Sequence, residues 1–75
     1  MESNNYYTYA WLRVDGSPYY IGKGQRKRAW RKSHKGVRGP KDEGRVLILK
    51  QSLTENEAFR HEIYMINVFG RKDLG

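Results

Sequence analysis

Polar residues open the chain as far as Asn5, and from Tyr6 to Val14 aromatic and β-branched side chains recur with no helical period. That pattern predicts a strand, with Tyr7, Tyr9 and Trp11 on one face and Tyr6, Thr8, Ala10 and Leu12 on the other. Met1 to Asn5 has nothing to hold it and is expected to fray. Asp15-Gly16 is a turn signal, so a hairpin should return through Tyr19–Ile21. The Asp15–Pro18 loop exceeds the two-residue minimum and leaves the turn type open. The returning strand should break at Gly22-Lys23-Gly24, where the glycines permit a sharp turn and close approach of the backbone to a ligand.

Beyond the glycines, Gln25 to about His34 is rich in Arg, Lys and Ala, with Gly36 as a stop signal, and it predicts a helix. Its apolar face is little more than Ala29 and Trp30, so Trp30 is expected to anchor it to the sheet. Lys35–Gly44 is expected to be a surface loop. The run Arg45–Lys50, apolar between two cations, reads as a buried central strand. Thr54 with Glu57 forms a capping box, opening a second helix to about Phe69 with Gly70 as its stop. Ala58, Phe59, Ile63, Ile66 and Phe69 recur at helical spacing and should face the sheet. The chain therefore reads as one α/β domain over residues 1–75, of order ββαβα, a small three-stranded sheet flanked by helices.

A chain of 75 residues has room for one modest core, burying roughly 60–65% of its unfolded surface. With no cysteine, disulfides and cysteine-rich zinc sites are excluded, and the separation of His34 and His61 matches no zinc-finger spacing. No apolar run approaches the ~20 residues that cross a bilayer, and MESNNYY has no signal-peptide pattern. These features predict a soluble cytoplasmic protein. The net charge is +7, and it is clustered: Lys23, Arg26, Lys27, Arg28, Arg31, Lys32, Lys35, Arg38 and Lys41 share one acid-free stretch. Such a cluster is the footprint of a polyanion-binding surface. The plainer alternative is a solvated basic helix. Membrane-surface binding is disfavoured, because the segment offers only Ala29 and Trp30 as an apolar face.

Glu62 falls inside the apolar stripe of the second helix, about 40° from Ala58 and Ile66 and about 20° from Phe69. A carboxylate there must be paired or hold a metal; a salt bridge is the structural alternative. Tyrosine is enriched at positions 6, 7, 9, 19, 20 and 64, and most of these read as cross-strand packing. Tyr9 and Tyr20, on adjoining strands, should come within reach of the glycine turn. A phenol beside clustered cations or a metal would have its pKa of about 10 lowered, enabling it to take a proton from an attacking water.

These residues resemble the GIY-YIG nucleases. Tyr20-Ile21-Gly22 matches the second half of that name, and Tyr7-Thr8-Tyr9 stands where Gly-Ile-Tyr would be, keeping the final tyrosine. Arg28 resembles the family's helix arginine and Glu62 its metal-binding glutamate, over nearly the whole chain. The resemblance implies hydrolysis of phosphodiester bonds in DNA, with RNA as an alternative substrate, assisted by one divalent ion, Mg²⁺ or Mn²⁺. On that pattern Glu62 holds the ion, Tyr9 activates or orients water, Tyr20 joins the water and phosphate network, and Arg28 neutralises transition-state charge. Lys23 and His34 match a lysine and a helix histidine carried by some members. Lys23, Arg26, Lys27, Arg31, Lys32, Lys35 and Arg38 would bind the nucleic acid.

The chain departs from the pattern in three places. Tyr7 replaces the first glycine, changing bulk near the strand start. His34 lies about 120° around an ideal helix from Arg28, and Arg31 competes for the arginine role. The asparagine that many members place after the glutamate helix has no counterpart up to Gly75, with Asn67 still inside the helix, implying a truncated C-terminal segment or a reduced site. A domain this small contacts few base pairs, so selectivity is expected from a fused or partner module. The alternative function is a non-catalytic nucleic-acid-binding module of the same fold; a protein-interaction domain is a third. Gly22-Lys23-Gly24 lacks the third glycine of a dinucleotide fingerprint and the Gly-Lys-Ser/Thr ending of a P-loop.

Overall fold

The first strand carries aromatics on one face and the small residues Thr8 and Ala10 on the other, so both of its faces can be covered closely. A computed structural model of the chain describes residues 4–30, 33–34 and 36–69, the pair 33–34 by backbone alone. Its elements are β1 (Tyr6–Leu12), β2 (Pro18–Gln25), a 3-10 turn (Arg28–Trp30), β3 (Ser33–His34), β4 (Val37–Arg38), a 3-10 turn (Glu43–Arg45), β5 (Val46–Leu53) and α1 (Glu55–Phe69). β1 is the centre of a three-stranded antiparallel sheet of order β2-β1-β5. β3 and β4 form a separate two-stranded ribbon.

Two layers close on β1. Tyr7, Tyr9 and Trp11 form a buried cluster with Ala29, and Tyr19, Tyr20, Val37, Val46 and Ile48 pack around it. Thr8, Ala10, Ile21, Leu53 and Ala58 are buried as well. Thr8 Oγ1 lies 2.7 Å from His61 Nδ1, tying the centre of β1 to α1. The hairpin turn is set by Asp15, whose carboxylate accepts from the Ser17 amide at 2.9 Å and hydroxyl at 2.7 Å. Gly16, at φ +90°, occupies the left-handed region that glycine adopts without a Cβ penalty.

The hairpin and the capping box agree with the sequence reading. Glu57 accepts from the Thr54 amide at 2.9 Å, and Thr54 Oγ1 accepts from the Glu57 amide at 3.2 Å. Four expectations are corrected. The glycines at 22 and 24 do not end β2, which continues through Gln25. The basic segment is not a helix from Gln25 to His34: Arg26 sits at φ 55°, and only Arg28–Trp30 makes a 3-10 turn before β3. With so little apolar surface, a helix there had no face to bury, and its tertiary contacts fix a tighter turn instead. The strand after it starts at Val46 and is an edge strand, with Leu47 46% exposed, because β1 takes the centre. The expected loop Lys35–Gly44 contains β4.

α1 also turns a different face inward from the one its apolar residues suggest. Phe59 and Ile63 are 50% and 45% exposed. Ala58 is buried, and His61, Glu62, Met65, Ile66 and Phe69 are half-buried. Among the described residues, no helix is long and apolar enough to cross a membrane.

The reciprocal cap makes Thr54 a measurable contributor to α1. Thr54→Ala should cost about 1 kcal/mol and lower the thermal midpoint by roughly 4–8 °C in a helix-monitored melt, with Thr54→Ser losing much less. An unchanged midpoint in the alanine variant would contradict the cap.

Candidate active site

The glycines of β2 serve side chains, not a turn. Gly22 lies opposite Tyr9 in the sheet, and a Cβ at Gly22 would come within 2.6 Å of the Tyr9 hydroxyl. The bare backbone thus lets the Tyr9 ring lie across β2 toward Tyr20, with ring centroids 6.2 Å apart. Gly24 does the same for Arg28: a Cβ there would meet Arg28 Cδ at 2.6 Å and Cβ at 2.7 Å. Contacts that close must be relieved by movement of one partner.

Arg28 is delivered by its backbone. The Tyr7 hydroxyl donates to the Arg26 carbonyl at 2.5 Å and accepts from the Ala29 amide at 3.0 Å. Trp11 Nε1 donates to the Ala29 carbonyl at 2.7 Å. Two aromatics of β1 therefore grip the turn from below, each burying a ring while its polar end finds a partner. Ala29, fully buried, is the anchor expected of Trp30, which is 42% exposed and meets the Tyr7 ring edge-on at 6.3 Å. The grip carries the Arg28 side chain back over Gly24, with Nε buried and without a hydrogen-bond partner among the described residues. A buried, unsatisfied cationic donor is costly, and an anion brought to this site would satisfy it.

Four of the expected catalytic side chains meet electrostatically at one place. Tyr9 and Tyr20 are joined by a side-chain hydrogen bond that keeps the proton on Tyr9. Burial, and then Tyr20, push the Tyr9 phenol far above its ordinary value, against the opposing pull of Arg28. Tyr20 is raised as well, by burial first and then by Glu62, against its bond from Tyr9 and the charge of Arg28. Tyr20 is therefore the residue at which the strand, the turn and the helix register together. These shifts reverse the expected lowering: in the protein itself, loss of hydration outweighs the nearby cation.

The other predicted residues lie around this group. Lys23 is 3.9 Å from Glu55 and 5.9 Å from the centre of the Tyr6 ring, directed to those neighbours. Arg26 and Lys27 are exposed beside the turn. Arg38 is exposed on β4, its carbonyl accepting from the Tyr19 hydroxyl at 2.7 Å. His34 lies on β3, not on a helix; its side chain and Arg31, Lys32 and Lys35 fall outside the described residues. Sequence reasoning missed the role of Tyr7 and Trp11. Their signal was present: aromatics with polar ends on the same strand face as Tyr9 must find buried partners.

Because folding raises the Tyr9 pKa, the native state holds its proton where the unfolded chain, with a phenol near 10, would release it. The resulting stability is complete below about pH 10 and is lost as pH rises beyond it. Alkaline titration followed by tyrosine absorbance should show the exposed tyrosines ionising first, with the last ionisation coinciding with unfolding. Tyr9→Phe should flatten the alkaline loss of stability, and an unaltered slope would contradict the assignment.

No family model, no curated protein and no solved structure matches this chain. Its function is read from its own side chains.

Proposed function

We propose that this chain is a metal-dependent endonuclease of the GIY-YIG kind, hydrolysing phosphodiester bonds in DNA at the site around Tyr9, Tyr20, Arg28 and Glu62. The observation that carries the reading is the packing of Tyr9 across Gly22 toward Tyr20, ring centroids 6.2 Å apart, with the Arg28 stem over Gly24 and the charges of Arg28 and Glu62 both acting on the Tyr20 phenol. Residues far apart in sequence thus share one electrostatic environment, beside a stretch dense in cations.

Glu62 is half-buried on the inner face of α1. A carboxylate suits Mg²⁺ or Mn²⁺, which take one or two protein carboxylates and fill their remaining positions with water and substrate phosphate. A bound ion would polarise a phosphate oxygen and stabilise the departing alkoxide. Buried phenols that hold their protons are hydrogen-bond donors and acceptors, not ready bases. Tyr9 therefore orients the nucleophilic water, donating to Tyr20, while Tyr20 uses its own O–H in the water and phosphate network. The Arg28 guanidinium, whose Nε has no partner among the described residues, neutralises charge on the pentacovalent phosphorus.

The test is nicking of supercoiled plasmid in Mg²⁺ or Mn²⁺ by the wild type and by Glu62→Gln. The wild type should nick, and the variant should lose at least about a hundredfold in rate while keeping salt-sensitive DNA binding. Full activity in Glu62→Gln would sink the assignment. Salt-sensitive binding without cleavage by either protein would make the chain a nucleic-acid-binding module.

A further inference from the structure

Beside the turn that carries Arg28, a cleft of about 640 Å³ opens between the end of β2 and the start of α1. Tyr6, Lys23, Gln25, Arg26, Lys27 and Arg28 line it, with the Glu55 carboxylate as its acidic member. Arg28 belongs both to this cleft and to the group around Tyr9, so an occupant of the cleft would adjoin whatever Arg28 binds. Four cations against one carboxylate select an anion. The Lys23–Glu55 pair is long, at 3.9 Å, with the Glu55 side chain 67% exposed. Such a contact is weak and yields readily to a competing phosphate.

The cleft also offers a ring. Tyr6 is the β1 tyrosine outside the buried aromatic cluster, half-buried and flanked by Lys23 at 5.9 Å from its centre. Arg26 holds a left-handed backbone at φ 55°, and its carbonyl is fixed by the Tyr7 hydroxyl at 2.5 Å. For a residue with a side chain this conformation is uncommon, and here the Tyr7 bond pins the backbone at the cleft. The volume lies within the range of sites that take one small ligand. A base in a duplex has its faces covered by neighbours, so a single aromatic platform serves a base that has left the stack.

We propose that the cleft holds one unpaired nucleotide next to the scissile phosphate, its base stacked on Tyr6 and its phosphate among Lys23, Arg26 and Lys27. The inference rests on the nuclease reading above, and its binding step can be tested without cleavage. It specifies the substrate as a strand with an unpaired stretch beside the cut, such as a flap or overhang, in preference to continuous duplex.

Fluorescence anisotropy with a labelled oligothymidylate and with a labelled blunt duplex tests it, using the whole chain as wild type, Tyr6→Ala and Tyr6→Trp. Tyr6→Ala should weaken single-strand binding by at least about fivefold and leave duplex affinity within about twofold, while Tyr6→Trp retains single-strand affinity. Circular dichroism melts confirm that the variants fold. Equal weakening toward both probes, or no weakening toward the single strand, would overturn the stacking site while leaving a nucleic-acid-binding protein. Loss of single-strand affinity in Tyr6→Trp as well as Tyr6→Ala would also overturn it. Absence of salt-dependent binding to either probe by the wild type would overturn this inference and the nucleic-acid reading together.

Discussion

Ala29 is held by β1 through both of its backbone polar groups, its amide donating to the Tyr7 hydroxyl and its carbonyl accepting from the Trp11 indole. Everything distinctive about the basic segment depends on that grip. With Ala29 as its sole buried residue, the 3-10 turn has almost no apolar surface to keep it on the sheet. Its position comes instead from polar ends of buried aromatics, which must find partners or lose about 1–3 kcal/mol each. The same constraint explains the glycines of β2. Tyr9 can cross Gly22 and the Arg28 stem can cross Gly24 because no Cβ stands in the way.

The electrostatics of the site follow from its packing. Three rings crowd together: Tyr9 and Trp11 centroids are 5.9 Å apart, and Trp11 and Tyr20 only 4.7 Å. Burial on that scale raises both phenols of the pair in spite of Arg28. The phenols are thereby suited to orienting a water or an anion through hydrogen bonds. Packing on the opposite side depends on a polar contact too, between Thr8 and His61, and burial followed by Lys50 lowers the His61 pKa, favouring the neutral ring. A domain with so small a core places polar hydrogen bonds where a larger one would place leucines.

Local sequence signals with short reach were legible. Asp15-Gly16 marked the hairpin, and Thr54 with Glu57 marked the start of α1, because each is completed within a few residues. Glu62 was legible as an oddity on a helix face. The basic segment was misread because its composition favours a helix while its conformation is decided by Tyr7 and Trp11, some twenty residues away. The inward face of α1 was misread for a related reason. Phe59 and Ile63 have the hydrophobicity to be buried, yet α1 turns His61 and Glu62 inward, with His61 meeting the buried Thr8. Direction of the tyrosine pKa shifts could not be read either, since it turns on how deeply the rings are buried and not on which charges are nearby in sequence.

If the proposed nuclease reading holds, the Tyr7 hydroxyl acts on the reaction through Arg28, whose backbone neighbours it holds. A double-mutant cycle on plasmid nicking, with Tyr7→Phe, Arg28→Ala and the combination, tests it most directly. Tyr7→Phe keeps the ring and removes only the bonds to Arg26 and Ala29. It should slow nicking by roughly tenfold when Arg28 is present and have little further effect once Arg28 is gone, a coupling of about 1 kcal/mol or more. Strictly additive losses, or a Tyr7→Phe variant as fast as the wild type, would contradict the account.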